Sequence, residues 1–305
     1  MRTENRKGLA YGFSAYLLWG LFPLYWPLLK PAGALEILAQ RMVWSLLLIV
    51  VVLVLMRNLP AVRLLVADRG KLARLALAAV LVSVNWGVYI WAVNSGHVIE
   101  TSLGYFINPL LTIMLGVLVL KERLSRAQWI AVGIATVAIV VLTVDYGRLP
   151  WIALTLAISF GCYGFLKKQV SAGAVETLAV ETAVMAGPAL LTLIVLAEQS
   201  ELAFGRHGLP HALLLIGTGV VTAIPLLLFG AAARRLPLTS IGLLQYLAPV
   251  LQFGVGVGIR HEPMPPARLV GFALVWVALV VLTVDALKRR QREAALVRSA
   301  HAIAA

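Results

Sequence analysis

A chain of 305 residues that is 61% hydrophobic and 13% charged, with a mean hydropathy of +0.93, cannot cover a water-soluble globule with polar side chains. Its net charge of +13 would suit nucleic acid only if the basic residues shared one soluble face. They fall instead in short gaps between apolar runs, which leaves a polytopic membrane protein and sets nucleic-acid binding aside.

Ten spans are predicted in chain order, at 8–27, 36–56, 75–93, 101–120, 128–145, 150–166, 177–197, 212–233, 238–259 and 267–287. Each is near the roughly 20 apolar residues that cross a hydrocarbon layer of about 30 Å. Arg2, Arg6 and Lys7 ahead of Gly8–Trp26 resemble a signal peptide, but the run is too long and lacks a small-x-small cleavage site, so it is read as a retained first helix. Gly8 and Gly12 form a small-xxx-small pair there.

Between Arg74 and Lys121 the one formal charge is Glu100, and the tight turn Asn94-Ser95-Gly96-His97 joins the third and fourth spans. Asn85, Tyr89 and Ala92 share a face of the third span, as Tyr105, Asn108 and Thr112 do on the fourth. Amides, indoles and phenols are costly against lipid, so this hairpin is read as the wall of a pathway. Cys162, the one cysteine, lies in an apolar run, excludes an intrachain disulfide and is read as a small packing residue.

Farther on, His207 and His211 are separated by Gly208 and Pro210 in a loop and are not read as a metal site. Gln245 and Gln252 share a stripe of the ninth span. Gly254-Val255-Gly256-Val257-Gly258 is read as close helix packing, because no strand precedes it as a nucleotide loop would need. Pro23, Pro109, Pro225 and Pro249 are expected to kink spans or free carbonyls.

The basic residues alternate between the gaps. Arg2, Arg6, Lys7; Arg57, Arg63, Arg69, Lys71, Arg74; Lys121, Arg123, Arg126; Lys167, Lys168; Arg234, Arg235; and Lys288, Arg289, Arg290, Arg292, Arg298 make 20 of the 26. The opposite gaps hold Lys30, Arg148, Arg206, Arg260 and Arg268, and Arg41 lies within a span. The positive-inside bias places both termini in the cytoplasm, as an even number of spans requires.

A repeat with a period of 140 residues runs through the chain. Val140-Val141-Leu142-Thr143-Val144-Asp145 recurs as Val280-Val281-Leu282-Thr283-Val284-Asp285, and Gly33-Ala34-Leu35-Glu36-Ile37-Leu38-Ala39 matches Gly173-Ala174-Val175-Glu176-Thr177-Leu178-Ala179. Pro109 falls on Pro249 and Glu122 on Glu262. Each copy holds five spans, and an odd number sends the second copy in from the opposite side. The expected fold class is an all-α polytopic membrane protein with ten transmembrane helices in two inverted five-helix repeats, 1–146 and 147–287, followed by a basic cytoplasmic tail, 288–305. Inverted halves exchange conformations about a site between them, which gives alternating access.

Trp19-Gly20-Leu21-Phe22-Pro23-Leu24-Tyr25-Trp26, Glu36-Ile37-Leu38-Ala39-Gln40-Arg41, Asn85-Trp86, Ile90-Trp91-Ala92-Val93-Asn94, Ser102-Leu103-Gly104-Tyr105-Phe106-Ile107-Asn108-Pro109-Leu110, Lys121-Glu122-Arg123-Leu124 and Gly242-Leu243-Leu244-Gln245-Tyr246-Leu247-Ala248-Pro249 are motifs that resemble the RarD family of EamA-type permeases. The resemblance runs from Gly8 to about Leu287. It implies the drug/metabolite transporter superfamily, a bacterial inner membrane, and a label linked to chloramphenicol with no settled physiological solute. Gln40 and Pro27 stand where the family usually has His and Lys, so a shared proton-linked role is not carried over to position 40.

The expected substrate-binding residues are Arg41, Trp19, Asn85, Trp86, Tyr89, Tyr105, Asn108, Gln245, Tyr246 and Gln252, with Glu181, Glu100 and His97 as coupling or gating residues. The repeat sets Arg41 opposite Glu181. They form either an ion pair made in one state and broken in the other, or a static pair, with Arg41 snorkelling to the interface as a further alternative. The amides and rings either line a cavity or bond helices together. Glu100 and His97 are either a proton relay or a helix-start carboxylate and a turn residue. No cofactor, metal cluster or catalytic set is predicted. The function expected is a permease, an exporter of small amphipathic metabolites or drugs working with the bilayer and its solute as partners, as a monomer or homodimer. The alternative is a membrane receptor or scaffold that binds a small ligand without moving it.

Overall fold

In lipid each apolar run has to bond its own backbone polar groups, and only helices do so segment by segment. The computed structural model describes residues 2–120, 124–233, 235–236, 241 and 244–304, and among these the regular structure is helical throughout. Lys121, Glu122, Arg123, Arg234, residues 238–240 of the ninth expected span, and Gly242 and Leu243 lie outside the described residues.

The helices are α1 Arg2–Tyr25, continued by a 3-10 turn Trp26–Leu29, then α2 Ala34–Leu55, α3 Leu59–Ala67, α4 Arg69–Asn94, α5 Val98–Leu120 and α6 Arg126–Tyr146. They continue with α7 Trp151–Lys168, α8 Ala174–Glu198, α9 Gly208–Ala233, α10 Leu247–Gly254, a π-helical stretch Val255–Ile259, and α11 Pro266–Ala304. Among the described residues six segments, in α2, α4, α6, α8, α9 and α11, are long and apolar enough to cross a membrane by themselves. Their open faces carry large apolar side chains such as Val54, Val140, Leu191 and Val280, which water would not tolerate in such number. The chain is a multi-pass membrane protein.

The ends are set by local chemistry. α4 starts six residues before the expected span because the Asp68 carboxylate accepts from the Lys71 backbone N–H at 3.0 Å. Ser125 and Gln128 form a capping box that starts α6 at Arg126. Gly147, with φ 63°, ends α6 in the left-handed region. α3 was not foreseen: it is nine residues long, too short for a span, yet Leu65 is buried against Leu75, Val170 and Val180.

The 140-residue period is echoed in helix starts: α2 and α8 begin at Ala34 and Ala174, after Gly33 and Gly173 in nearly the same extended conformation, and α6 and α11 begin at Arg126 and Pro266. α6 and α11 lie antiparallel and are fastened at both ends. Asp145 accepts from Arg268 Nε at 2.8 Å and Asp285 from Ser125 Oγ at 3.0 Å. One core, around Leu103, Phe106, Leu142 and Phe272, joins them to α5 and α7. Another, around Trp26, Ile37, Tyr89, Ile90, Leu156 and Leu215, joins α1, α2, α4, α7 and α9. α9 meets α2 so closely at Gly219 that a Cβ there would stand 2.6 Å from the Trp44 backbone carbon. Of the three glycines at 254–258 only Gly256 is in such contact, 2.8 Å from Ile99, so helix packing accounts for the middle one alone.

Candidate functional site

Polar side chains in an apolar bundle have to be bonded or face something that bonds them. The site is built around Arg41, seven residues after the start of α2 at Ala34 and therefore about 10 Å along that helix. Its side chain is 3% exposed. Nε donates to Thr222 Oγ1 of α9 at 2.7 Å, and the Thr222 hydroxyl donates to the Thr218 carbonyl oxygen at 2.8 Å. The guanidinium lies over Trp86 of α4, its central carbon 3.7 Å from the ring centroid, with Trp26 at 5.2 Å and Phe22 at 5.8 Å. Ring faces stabilise a desolvated cation by about 2 kcal/mol. Tyr89 and Tyr105 belong to the same packed cluster as Phe22 and Trp26.

Glu181 does not pair with Arg41. Its carboxylate binds Lys167 Nζ at 3.0 Å and accepts from the Tyr163 hydroxyl at 3.1 Å. Tyr163 and Lys167 are four apart on α7, so one helix face presents hydroxyl and ammonium to the same carboxylate and satisfies it locally. Trp86 also borders a narrow cleft between α2, α4 and α8, lined by Met42, Val82, Leu178, Glu181 and Met185.

The Asn85 amide donates to the Leu156 carbonyl oxygen at 2.9 Å and to Ser159 Oγ at 3.0 Å, and accepts from the Tyr105 hydroxyl at 3.1 Å. It therefore ties α4 to α7 and α5. Tyr89 meets Tyr105 edge-on at 5.7 Å, and its own hydroxyl is buried without a hydrogen bond. Trp19 packs on Tyr16 and Phe229, and its carbonyl oxygen accepts from Gln252 Nε2 at 3.2 Å. Tyr246 belongs to the α5–α6–α11 core, while Asn108 and Gln245 are half-buried.

Phe22, Trp26, Thr218 and Thr222 were not singled out from the sequence. The spacing Trp19, Phe22, Trp26 puts the rings on one helical face, and Thr218 and Thr222 are one turn apart. Those patterns carried the signal.

A second set of carboxylates closes the end of the bundle where α2, α5, α7 and α11 begin. Glu36 accepts from the Ala203 and Phe204 backbone N–H groups at 3.0 and 2.9 Å, and Glu262 from those of Val98 and Ile99 at 2.6 and 2.8 Å. The two clamps cross between the chain's halves in opposite directions. Burial pushes the Glu262 carboxyl above the ordinary range, against the Ile99 and Val98 amides that favour its charge. Glu100, 1% exposed, binds both terminal nitrogens of Arg148, at 3.3 and 2.8 Å, and the Ile152 N–H at 3.3 Å. His97 stacks on Trp91 with centroids 5.8 Å apart. Glu100 is thus an ion-paired anchor near the start of α7, with His97 in the turn beside it. His211 Nε2 lies 2.9 Å from the Leu29 carbonyl oxygen.

Residues 6–144 match the EamA-like transporter family. The chain is 57% identical over 302 residues to Protein RarD of Streptomyces exfoliatus, covering 98% of this chain and 96% of that protein. It is 42% identical over 295 residues to an uncharacterized transporter of Pseudomonas aeruginosa, covering 96% and 98%. A crystal structure of a protein at 18% identity shares the fold, with a TM-score of 0.61 over 91% of this chain and 97% of that one.

Proposed function

The chain belongs to the RarD family of EamA-like membrane transporters, and on that premise we propose that it is a secondary permease, an exporter of small amphipathic metabolites or drugs working by alternating access. The observation that carries this is the pair of buried ionisable residues, Arg41 and Glu181, 3% and 2% exposed and each seven residues into its helix. Charges at such depth are expensive and are retained where they serve a pathway. Helix starts offset by 140 residues support two inverted halves, 1–146 and 147–287, as does the crossing of the Glu36 and Glu262 clamps between them.

In this scheme the protein lies in the bacterial inner membrane with both termini cytoplasmic, and the clamped end is the outer one. Arg41, Trp86, Tyr89 and Tyr105 contact the solute, with Trp19 and Gln252 at the α1–α10 seam behind them and Glu181 beside the cleft neutralised by its direct pair with Lys167. The test is flux of labelled chloramphenicol and of a panel of amphipathic metabolites from proteoliposomes containing the purified protein. Saturable flux that Arg41→Ala removes is the expected result. Ligand binding without flux of any member would make the protein a receptor.

A further inference from the structure

We propose that Arg41 anchors a carboxylate-binding site, so that the solute carries one carboxylate on an apolar body. This rests on the transport reading only for the word solute, since the site itself is a matter of binding.

Arg41 is buried, 3% of its surface exposed, and among the described residues no carboxylate pairs with it. Among the described residues Nε is its one hydrogen-bonding nitrogen, to Thr222, and the two terminal nitrogens of the fork find no acceptor. Ring faces and hydroxyls lower the cost of a buried cation without cancelling its charge. Arginine does not escape by losing its proton in this setting. A lone charge of this kind is completed by an anion.

The other half of the chain shows a completed version. At the position equivalent by the 140-residue period, Glu181 is neutralised by Lys167 and bonded by Tyr163. The same offset places Pro27 and Pro23 opposite Lys167 and Tyr163, so the Arg41 half has no side chain at those positions to answer the charge. Among the described residues no side chain supplies the missing member.

The chemistry of that member follows from the fork. Two parallel N–H donors in a plane match the two oxygens of a carboxylate. One positive charge balances one negative charge, which disfavours a phosphate dianion in a buried site. The Tyr89 hydroxyl, buried without a hydrogen bond, is a further donor in the cluster that holds Phe22 and Trp26, the rings over which the guanidinium lies. The surroundings of the guanidinium are apolar, with the rings of Phe22, Trp26 and Trp86 against it, which suits a carboxylate borne on an apolar body.

The test compares benzoate with benzamide, alike in size and ring, on the thermal unfolding midpoint of the purified protein in detergent. Benzoate is expected to raise the midpoint with saturation and benzamide to leave it unmoved. In Arg41→Met, which keeps side-chain volume without charge, the benzoate concentration giving half the shift should rise at least tenfold. Tyr89→Phe should raise it several-fold with the protein's own midpoint unchanged, and this variant keeps the test decisive if Arg41→Met does not fold. Equal shifts by benzamide or by chloride, no shift by benzoate, phenylacetate or acetate, or undiminished benzoate binding in both variants would each overturn the proposal. Inorganic phosphate binding more tightly than every carboxylate would do so as well. Because no flux is read, intact benzoate binding with absent transport would count against the permease function and leave this site standing.

Discussion

Arg41 and Glu100 are both buried charges, and their partners separate them. Glu100 is neutralised by both arms of Arg148, so Arg148→Ala leaves a buried carboxylate with one backbone donor and should cost roughly 2 kcal/mol. Adding Glu100→Gln should recover most of that loss, and calorimetric unfolding of the single and double variants measures it. Arg41 has rings and one threonine instead of an anion. Arg41→Ala is therefore expected to abolish flux while the protein still inserts and folds, and Arg41→Lys to be intermediate, because a point charge replaces the planar fork. Normal proteoliposome flux in Arg41→Ala would make the residue structural.

At the scale of elements, helix starts serve as anion sites and the chain supplies the anions itself. The first N–H groups of α5, which have no partner within the helix, meet the Glu262 carboxylate, and the loop amides ahead of α9 meet Glu36. Alternating access requires these links to part at one stage of the cycle. Glu36→Gln and Glu262→Gln each replace a charge-assisted pair of bonds with a weaker set. In a Cys162→Ser background, a cysteine at Ala203 should react several-fold faster with an impermeant maleimide when Glu36→Gln is present. An unchanged rate would show that the clamp does not hold that end closed.

For the whole molecule, the distribution of basic residues predicts reporter fusions after residues 70, 124 and 288 in the cytoplasm and after 97, 147 and 206 outside. An outward signal at 70 would reverse the orientation. Charge within the bundle also predicts selectivity. Glu181 is the deep acid, and Lys167 offsets its attraction for a cation. Cells overproducing the protein should gain protection from carboxylate-bearing, including zwitterionic, amphipathic compounds and none from quaternary ammonium dyes. Resistance to such dyes that Glu181→Gln removes would show the opposite charge preference.

Apolar run length marked, from the sequence alone, the long helices that cross a membrane by length and composition, because a membrane segment must satisfy its backbone within itself, while the short α3 escaped it. The same logic marked Arg41, Trp86, Tyr89, Tyr105 and Glu181 as costly residues needing an explanation. Their partners were decided only by tertiary structure. Lys167 and Tyr163 reach Glu181 from α7, Asn85 uses its amide on α7, and Arg41 meets Trp26 from the turn before its own helix and Thr222 from α9. A pairing depends on helix rotation and crossing, which one-dimensional spacing does not contain. Periodicity can place a charge at a depth, but the fold chooses what neutralises it.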